Sequence, residues 1–231
     1  FWTKFSYKYI TWGWKNKSSK IIRLPSLRIY SRIKDIYSSK IKKYDIIFFP
    51  RVNFKYPSFS LHLNQDIQKK NLTATLKILK FFNQKKYNFN LKTRFKNESE
   101  FQKKFKNIKI LSNKNNSTDL YGNTKLSIFN HLSTGFFECL YSSQPAIIYL
   151  PKKNFLSYES KSYKTINSIL NKYKLIYNNP SEIMNLVQNY DPNKFNRAYN
   201  KILKDQNFKN IFFEPVNIEK KFLIFFKKKL S

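Results

Sequence analysis

An alternation of short apolar runs with segments of helical periodicity is the feature that most constrains this fold. The runs have the length and composition of buried strands, and most are separated by stretches long enough for a helix. They lie at residues 44–49, 87–93, 108–111, 126–129, 146–150 and 175–177. Strands that alternate with helices form βα units, which assemble into a parallel sheet. The sequence therefore predicts an α/β fold, a mostly parallel sheet with flanking helices.

The segments between the runs predict the helices. Asn64 is expected to cap a helix that continues to about Phe82, because polar caps with an oxygen acceptor favour helix starts. Pairs of a capping residue and proline open two later helices. The predicted helices are 65–82, 98–105, 158–174 and those opening at Asn179-Pro180 and Asp191-Pro192, whereas residues 112–124 are expected to form a polar loop.

Three regions follow from these patterns. Residues 1–40 show no sustained periodicity and predict a connector, residues 41–210 carry the strand and helix pattern of the main domain, and residues 211–231 form a basic tail. The tail has an apolar centre between lysines, which favours a terminal helix packed on the body over a helix lying on a membrane surface. Because the chain begins with Phe1, we expect it to be incomplete or processed.

The charge of the chain permits two explanations. The net charge is +32, from 45 Lys and Arg against 13 Asp and Glu. A polyanion partner would account for such an excess, but so would AT-rich codon usage, which enriches Lys, Asn, Ile, Phe and Tyr together. We favour the codon explanation, because the charge is spread along the chain and no RNA-binding or helix-turn-helix motif is present. No specific nucleic-acid partner is therefore expected.

Cysteine and histidine are too scarce for a metal centre built on those residues. The single cysteine, Cys139, excludes an intrachain disulfide, and its position among apolar residues predicts a core side chain. Only two histidines and no Asp-x-Asp pair occur. We expect no metal and no bound cofactor, and no apolar run approaches the length of a membrane span, about 20 residues.

The polar turn after the run 126–129 is the strongest candidate site. Ligands of an open parallel sheet bind beyond the carboxyl ends of its strands, where this turn lies. Ser133 or Thr134 can cap the following helix, whose free N–H groups and dipole suit a phosphate. Gly135 would let a ligand approach the backbone. Glu138, one turn later, could accept hydrogen bonds from ribose hydroxyls.

Ordinary structural roles remain open for the same residues. Ser and Thr are common helix caps, and a glutamate inside a helix is usually solvated. A histidine in such a turn is more often a hydrogen-bonding residue than a catalytic group, and His131 remains a candidate for catalysis.

Several motifs, in a common order, resemble a family of GT-B-like transferases from bacterial surface-polysaccharide gene clusters. Residues 130–140 and 144–148 resemble the family segment (D)-H-x-S-T-x-x-x-E-x-L followed by x-P-x-I-I. Further similar segments are Thr11–Trp14 with Arg23–Ser26, Asn90–Arg94, and Ile166–Leu170 with Ile176–Pro180. The resemblance spans residues 9 to about 190.

This resemblance implies the C-terminal, Rossmann-like domain of a GT-B fold, which binds the donor nucleotide, with the N-terminal domain largely absent and residues 1–40 as its remnant. Ser133 and Thr134 match the donor-phosphate turn, and Glu138 matches the acid that contacts ribose. Arg94 matches a basic residue facing the cleft, where it could offset charge on the leaving diphosphate. Asn130 departs from the usual acid, so a role needing a carboxylate there is in doubt. The catalytic base is unknown.

The expected function is glycosyl transfer from a nucleotide-activated sugar to a surface glycan or lipid-linked acceptor. Such an enzyme would be cytoplasmic, and its lysines could hold it on the inner face of the cell membrane. Transfer of a polyol phosphate from a CDP-activated donor is a close alternative in which His131 helps bind phosphate, and an epimerase of nucleotide sugars is another relative. A basic nucleic-acid-binding module is the alternative from a different class.

Overall fold

A computed structural model describes residues 9–12, 21–24, 26–50, 65–85, 87–92, 102–111, 115–150 and 161–211. Near the start of the chain, the parallel strands β1 (Tyr9–Trp12) and β2 (Ile21–Leu24) pair with each other. Helix α1 (Leu27–Ile33) follows, with the Ser26 side chain accepting a hydrogen bond from the N–H of Ile29. Ile29 and Ile36 are buried in the same core as the main sheet, so part of the predicted connector packs on the main domain.

The main sheet has six strands, all parallel, in the order β5-β4-β3-β6-β7-β8. The strands are β3 (Tyr44–Phe49), β4 (Phe89–Lys92), β5 (Ile108–Leu111), β6 (Thr124–Phe129), β7 (Ala146–Tyr149) and β8 (Ile176–Tyr177). Counted from β3, this is the order 3-2-1-4-5-6 of a doubly wound Rossmann-like sheet. The predicted α/β class and parallel sheet are confirmed.

Helices cover both faces of this sheet. They are α2 (Gln65–Gln84), α3 (Ser117–Gly122), α4 (Thr134–Tyr141), α5 (Lys161–Lys172), α6 (Pro180–Gln188), α7 (Pro192–Lys204) and α8 (Gln206–Ile211). Phe82 of α2 stacks on Phe89 with ring centroids 4.4 Å apart, and Phe136 of α4 contacts Phe129 at 6.1 Å. Phe89 and Leu126 both pair with Ile46 of β3, so their side chains lie on the same face of the sheet. Phe129 is an odd number of residues, three, after Leu126, so its side chain lies on the other face. Because alternate residues of a strand face opposite sides, α2 and α4 lie on opposite faces.

The predicted loop at residues 112–124 is wrong in its second half. Residues 117–122 form α3, and Thr124 already belongs to β6. The Asn116 side chain caps α3 by accepting from the N–H of Thr118, and Leu120 and Tyr121 are buried. A helix this short and polar has little periodicity of its own, so tertiary packing decides its formation.

The other predicted elements agree with the structure where it describes them. The helix predicted to end at Phe82 continues to Gln84, and the caps Asn179 and Asp191 open α6 and α7 as expected. Residues 102–104 are helical within the predicted segment 98–105. The basic tail lies outside the described residues, and the boundaries of the three predicted regions stay predictions.

Near the amino ends of the central strands, the backbone at Gly122 lies close to the backbone at Tyr37. A side chain there would overlap the carbonyl oxygen of Tyr37. The Gly122 carbonyl oxygen accepts hydrogen bonds from the Ser39 N–H at 3.0 Å and from Lys42 Nζ at 2.8 Å. The same ammonium group donates to Ser38 Oγ at 2.9 Å. These contacts fasten the segment after α1 to the start of β6.

We expect Gly122→Ala to lower the free energy of unfolding by about 1–3 kcal/mol, the usual cost of inserting a methyl group into a packed site. The clash is with backbone, which cannot rotate away as a side chain can. Urea denaturation followed by circular dichroism would measure the change. Gln188→Ala, at an exposed position of α6, is the control and should change stability little; an equally stable Gly122→Ala would contradict the close approach.

Candidate functional site

The switch point of the sheet lies between β3 and β6, the neighbouring strands from which the chain winds outward in opposite directions. Phe49 and Phe129, the last residues of the two strands, are paired in register. Crevices beyond the carboxyl ends of strands at such a point bind ligands in open α/β sheets. The turn at residues 130–133, which follows β6, therefore lies at the place where the topology favours a ligand.

Glycine is absent from the segment that follows β3. Dinucleotide-binding sheets normally place a glycine-rich phosphate turn there, but residues 50–64 contain no glycine, and the whole chain has three. A phosphate-binding site at this switch point would therefore have to be formed by the turn after β6 and the start of α4.

Aromatic rings form the floor beneath that turn. The rings of Phe49 and Phe129 stack with centroids 5.1 Å apart, and Tyr121 meets Phe49 edge-on at 5.1 Å. A side chain at Gly135 would overlap the Tyr121 hydroxyl. The space that this glycine leaves is thus filled by Tyr121, and packing explains the residue without the ligand approach expected for it.

The turn is fixed by Asn130, which is 2% exposed. Its side-chain nitrogen Nδ2 donates to Thr75 Oγ1 of α2 at 3.2 Å, and its oxygen Oδ1 lies 3.0 Å from Nδ1 of His131. If Nδ1 of a neutral His131 donates to this oxygen, Nε2 is the nitrogen able to accept a proton. Asn130 orients the imidazole as a carboxylate would, but it brings no negative charge.

Ser133 caps α4 as the sequence predicts. Its backbone is extended, with φ −114° and ψ 163°, and its hydroxyl accepts from the N–H of Phe136 at 3.2 Å. The N–H groups of Thr134 and Gly135 have no acceptor within the helix, because the first turn of any helix lacks one. Thr134 is partly exposed. The start of α4 can therefore donate hydrogen bonds to an anion.

Glu138 does not face the open turn. It is 1% exposed, and its Oε1 lies 3.0 Å from Nε of Arg32 in α1. The two atoms form an ion pair without the alignment of a hydrogen bond. Burial raises the pKa of the Glu138 carboxyl, and the guanidinium groups of Arg32 and Arg28 oppose that shift. A residue expected to contact ribose is in this structure the partner of an arginine.

The structure thus brings together Asn130, His131, Ser133 and Thr134 at the switch point and turns Glu138 toward α1. Arg94 lies outside the described residues. Cys139 is fully buried and free, which confirms its predicted place in the core. Thr75 and Arg32 were missed by sequence reasoning, because each acts on the turn or its helix from an element distant in the chain.

Two properties apply to the described part of the chain as a whole. Among these residues no group of three or more His, Cys, Asp or Glu side chains lies close enough to hold a metal ion. None of the described helices has both the length and the apolar character needed to cross a membrane.

We expect Arg32→Gln to raise the pKa of Glu138 further, because it removes the cation that favours the buried carboxylate. A carboxyl with a raised folded-state pKa loses stability as the pH rises through that pKa. The variant should therefore cost more stability at pH 7 than at pH 4. At pH 7 we expect a loss of about 1–3 kcal/mol, less than for a fully buried pair because the Arg32 side chain is partly exposed.

Urea denaturation at both pH values would measure this difference. Arg197→Gln is the matched control, since the Arg197–Asp191 pair has a similar separation of 3.1 Å but side chains 68% and 45% exposed. It should change stability little at either pH. Equal losses for the two variants would show that burial of the Arg32–Glu138 pair has no consequence.

Comparison with known proteins identifies the family of the chain and the general class of its reaction. No curated protein and no solved structure shows a significant match to the chain. The protein-family model described as LIC12162 family transferase matches residues 1–214, which includes the connector, the whole main sheet and the switch-point turn. The chain therefore belongs to the LIC12162 family of transferases.

Proposed function

We propose that this transferase moves a sugar from a nucleotide-activated donor to a cell-surface polysaccharide or its lipid-linked precursor. The described domain would be the part that binds the donor nucleotide. The observation that carries the proposal is the coincidence of the switch point with the capped start of α4. The strand order, the start of α4 and the polar turn all support the same place for a phosphate.

The residues of the turn would have separate roles in binding the donor. The N–H groups of Thr134 and Gly135 would donate to a phosphate oxygen, with the Thr134 hydroxyl beside them. Ser133 would hold this turn in shape through its bond to the Phe136 N–H. His131 stands in the same turn, with its Nδ1 3.0 Å from Asn130 Oδ1.

The reaction breaks the bond between the anomeric carbon of the sugar and the diphosphate, and an acceptor hydroxyl forms the new bond to that carbon. The electron pair leaves with the nucleoside diphosphate, so the enzyme must stabilise growing negative charge. The helix start and a cation can supply that stabilisation, and the resemblance proposes Arg94 for the cation. We propose no metal and assign no catalytic base.

The acceptor and the place of action are proposals as well. An acceptor on a lipid carrier would bring the enzyme to an anionic membrane surface, and the net charge of +32 favours such an approach. The enzyme would then work in the cytoplasm, on the inner face of the cell membrane.

Transfer of a polyol phosphate from a CDP-activated donor is the second candidate. The position of His131 favours it, because this half-buried imidazole stands in the turn with its Nδ1 3.0 Å from Asn130 Oδ1. Attack on phosphorus would place more charge on the phosphate than sugar transfer does, and His131 could donate to it when protonated. Binding of CDP in preference to UDP, GDP and TDP would favour this reaction.

A pair of helix caps tests the donor site. Ser133→Ala and Asn179→Ala each remove the side chain that caps a helix, α4 or α6, and each should cost about 0.5–2 kcal/mol of stability. Only Ser133→Ala should also weaken binding of nucleoside diphosphates, because only α4 starts at the switch point.

Isothermal titration calorimetry with UDP, GDP, CDP and TDP would measure the affinities, and a DNA oligonucleotide would control for charge. Selective binding of one nucleoside diphosphate, reduced in Ser133→Ala and retained in Asn179→Ala, is the expected result. Binding of every polyanion with similar affinity in all three proteins would contradict a donor site and favour the nucleic-acid or general-charge explanation.

A further inference from the structure

We propose that Arg32, oriented by Glu138 and joined by Arg28, forms an anion subsite beside the first turn of α4 that binds the diphosphate of the donor. The identity of the ligand rests on the proposed function, whereas the anion subsite rests on the arrangement of α1 and α4. In this account Glu138 is a positioning residue that acts through Arg32, and its carboxylate does not touch the ribose.

The position of the guanidinium follows from the packing of the two helices. Helix α1 packs against α4, and Arg32 Nε lies 3.0 Å from Glu138 Oε1. Glu138 stands four residues after Thr134 in α4, one helical turn further along the same face. The guanidinium that pairs with Glu138 therefore lies against α4 about one turn from the N–H groups assigned to a phosphate.

Tyr121 links this ion pair to the same turn. Its hydroxyl occupies the space beside the Gly135 backbone. Burial raises the pKa of Tyr121, the Glu138 charge adds to that rise, and the Arg32 charge opposes it. Both charges are therefore close to the tyrosine that contacts the start of α4.

The local charge balance favours an anion. Arg28 and Arg32 are four residues apart in α1, which places them on one helix face, and both act on Glu138. One carboxylate opposes two guanidinium groups, and the helix dipole adds further positive potential at the N-terminus. The net charge of Arg28, Arg32 and Glu138 is therefore positive even with Glu138 ionised.

The geometry of Arg32 suits a diphosphate. The guanidinium is a planar fork of N–H donors, and the Glu138 contact uses its Nε side. The Arg32 side chain is 29% exposed although its Nε is buried, so the exposed area lies on its other atoms, and we expect the terminal nitrogens to meet an incoming ligand. A fork held by a buried carboxylate loses less conformational entropy on binding than a free one.

General excess of lysine does not account for this arrangement. The 45 basic residues are mostly lysine, and arginine is scarce in the chain. Even so, arginine occupies both positions of α1 whose charges act on Glu138. Bidentate recognition of phosphate is the property that distinguishes arginine from lysine.

Calorimetric titration with inorganic diphosphate tests the subsite without assuming a nucleotide. We expect Arg32→Gln to weaken binding about tenfold or more, as the loss of a charge-assisted hydrogen bond does. Arg32→Lys should weaken it too, because charge remains but the fork is lost, and this variant serves if Arg32→Gln does not fold. Arg197→Gln, which removes an equal charge from α7, should bind as the unaltered protein does.

Glu138→Gln separates positioning from ribose contact. Because Glu138 acts on the ligand only through Arg32, the variant should change the affinity for inorganic diphosphate and keep the extra affinity gained from the nucleoside. A direct ribose contact predicts instead that diphosphate binding stays unchanged, while the extra affinity gained from the nucleoside is lost.

The outcomes also separate this inference from the proposed function. Diphosphate binding that depends on Arg32, with no added affinity for any nucleoside diphosphate, would support the subsite and overturn the donor-nucleotide proposal. Absence of diphosphate binding by the unaltered protein would overturn the subsite. Unchanged or tighter diphosphate binding by Arg32→Gln would also overturn the subsite, since Arg32 would then only shield Glu138. An equal loss of diphosphate affinity in Arg197→Gln would overturn it as well.

Discussion

The parallel pairing of β3 with β6 at the centre of the sheet is the interaction on which the rest of the structure depends. Both strands are buried along most of their length, and each is flanked by the strands that follow it in the chain. Their pairing sets Phe49 beside Phe129 and so creates the switch point. A shift of register by one residue would exchange the side chains that pack against the helices on the two faces of the sheet, and the turn at Asn130 would move with them.

The strand and helix pattern could be predicted from sequence because it is local. Runs such as Ile46–Phe49 and Ala146–Tyr149 carry the apolar composition of strands buried on both faces, and caps such as Ser133 mark the starts of helices. Helix α3 could not be predicted, because its stability comes from burial of Leu120 and Tyr121 by distant residues. The strand order of the sheet likewise depends on long-range pairing, and the periodicity of the sequence does not show which strands pair.

The site was predictable only in part, for the same reason. The cap at Ser133 is a local property, whereas the surroundings of Glu138 are set by α1, which lies about a hundred residues earlier in the chain. The local sequence around a glutamate in an amphipathic helix does not predict whether its carboxylate will contact water, ribose or arginine. Burial to 1% exposure makes an ionised carboxylate costly without a paired cation, and the connector supplies one. The connector is thus part of the electrostatics of the proposed site.

The central claim is that a nucleoside diphosphate binds at the start of α4. Titration of the isotope-labelled protein with the four nucleoside diphosphates, followed by backbone amide chemical shifts, tests it most directly. The account predicts that one nucleotide shifts the amide signals of His131, Thr134 and Gly135 in a saturable way, with inorganic diphosphate shifting those of Thr134 and Gly135. Shifts confined to lysine-rich surfaces, with the amides of α4 unchanged, would contradict it.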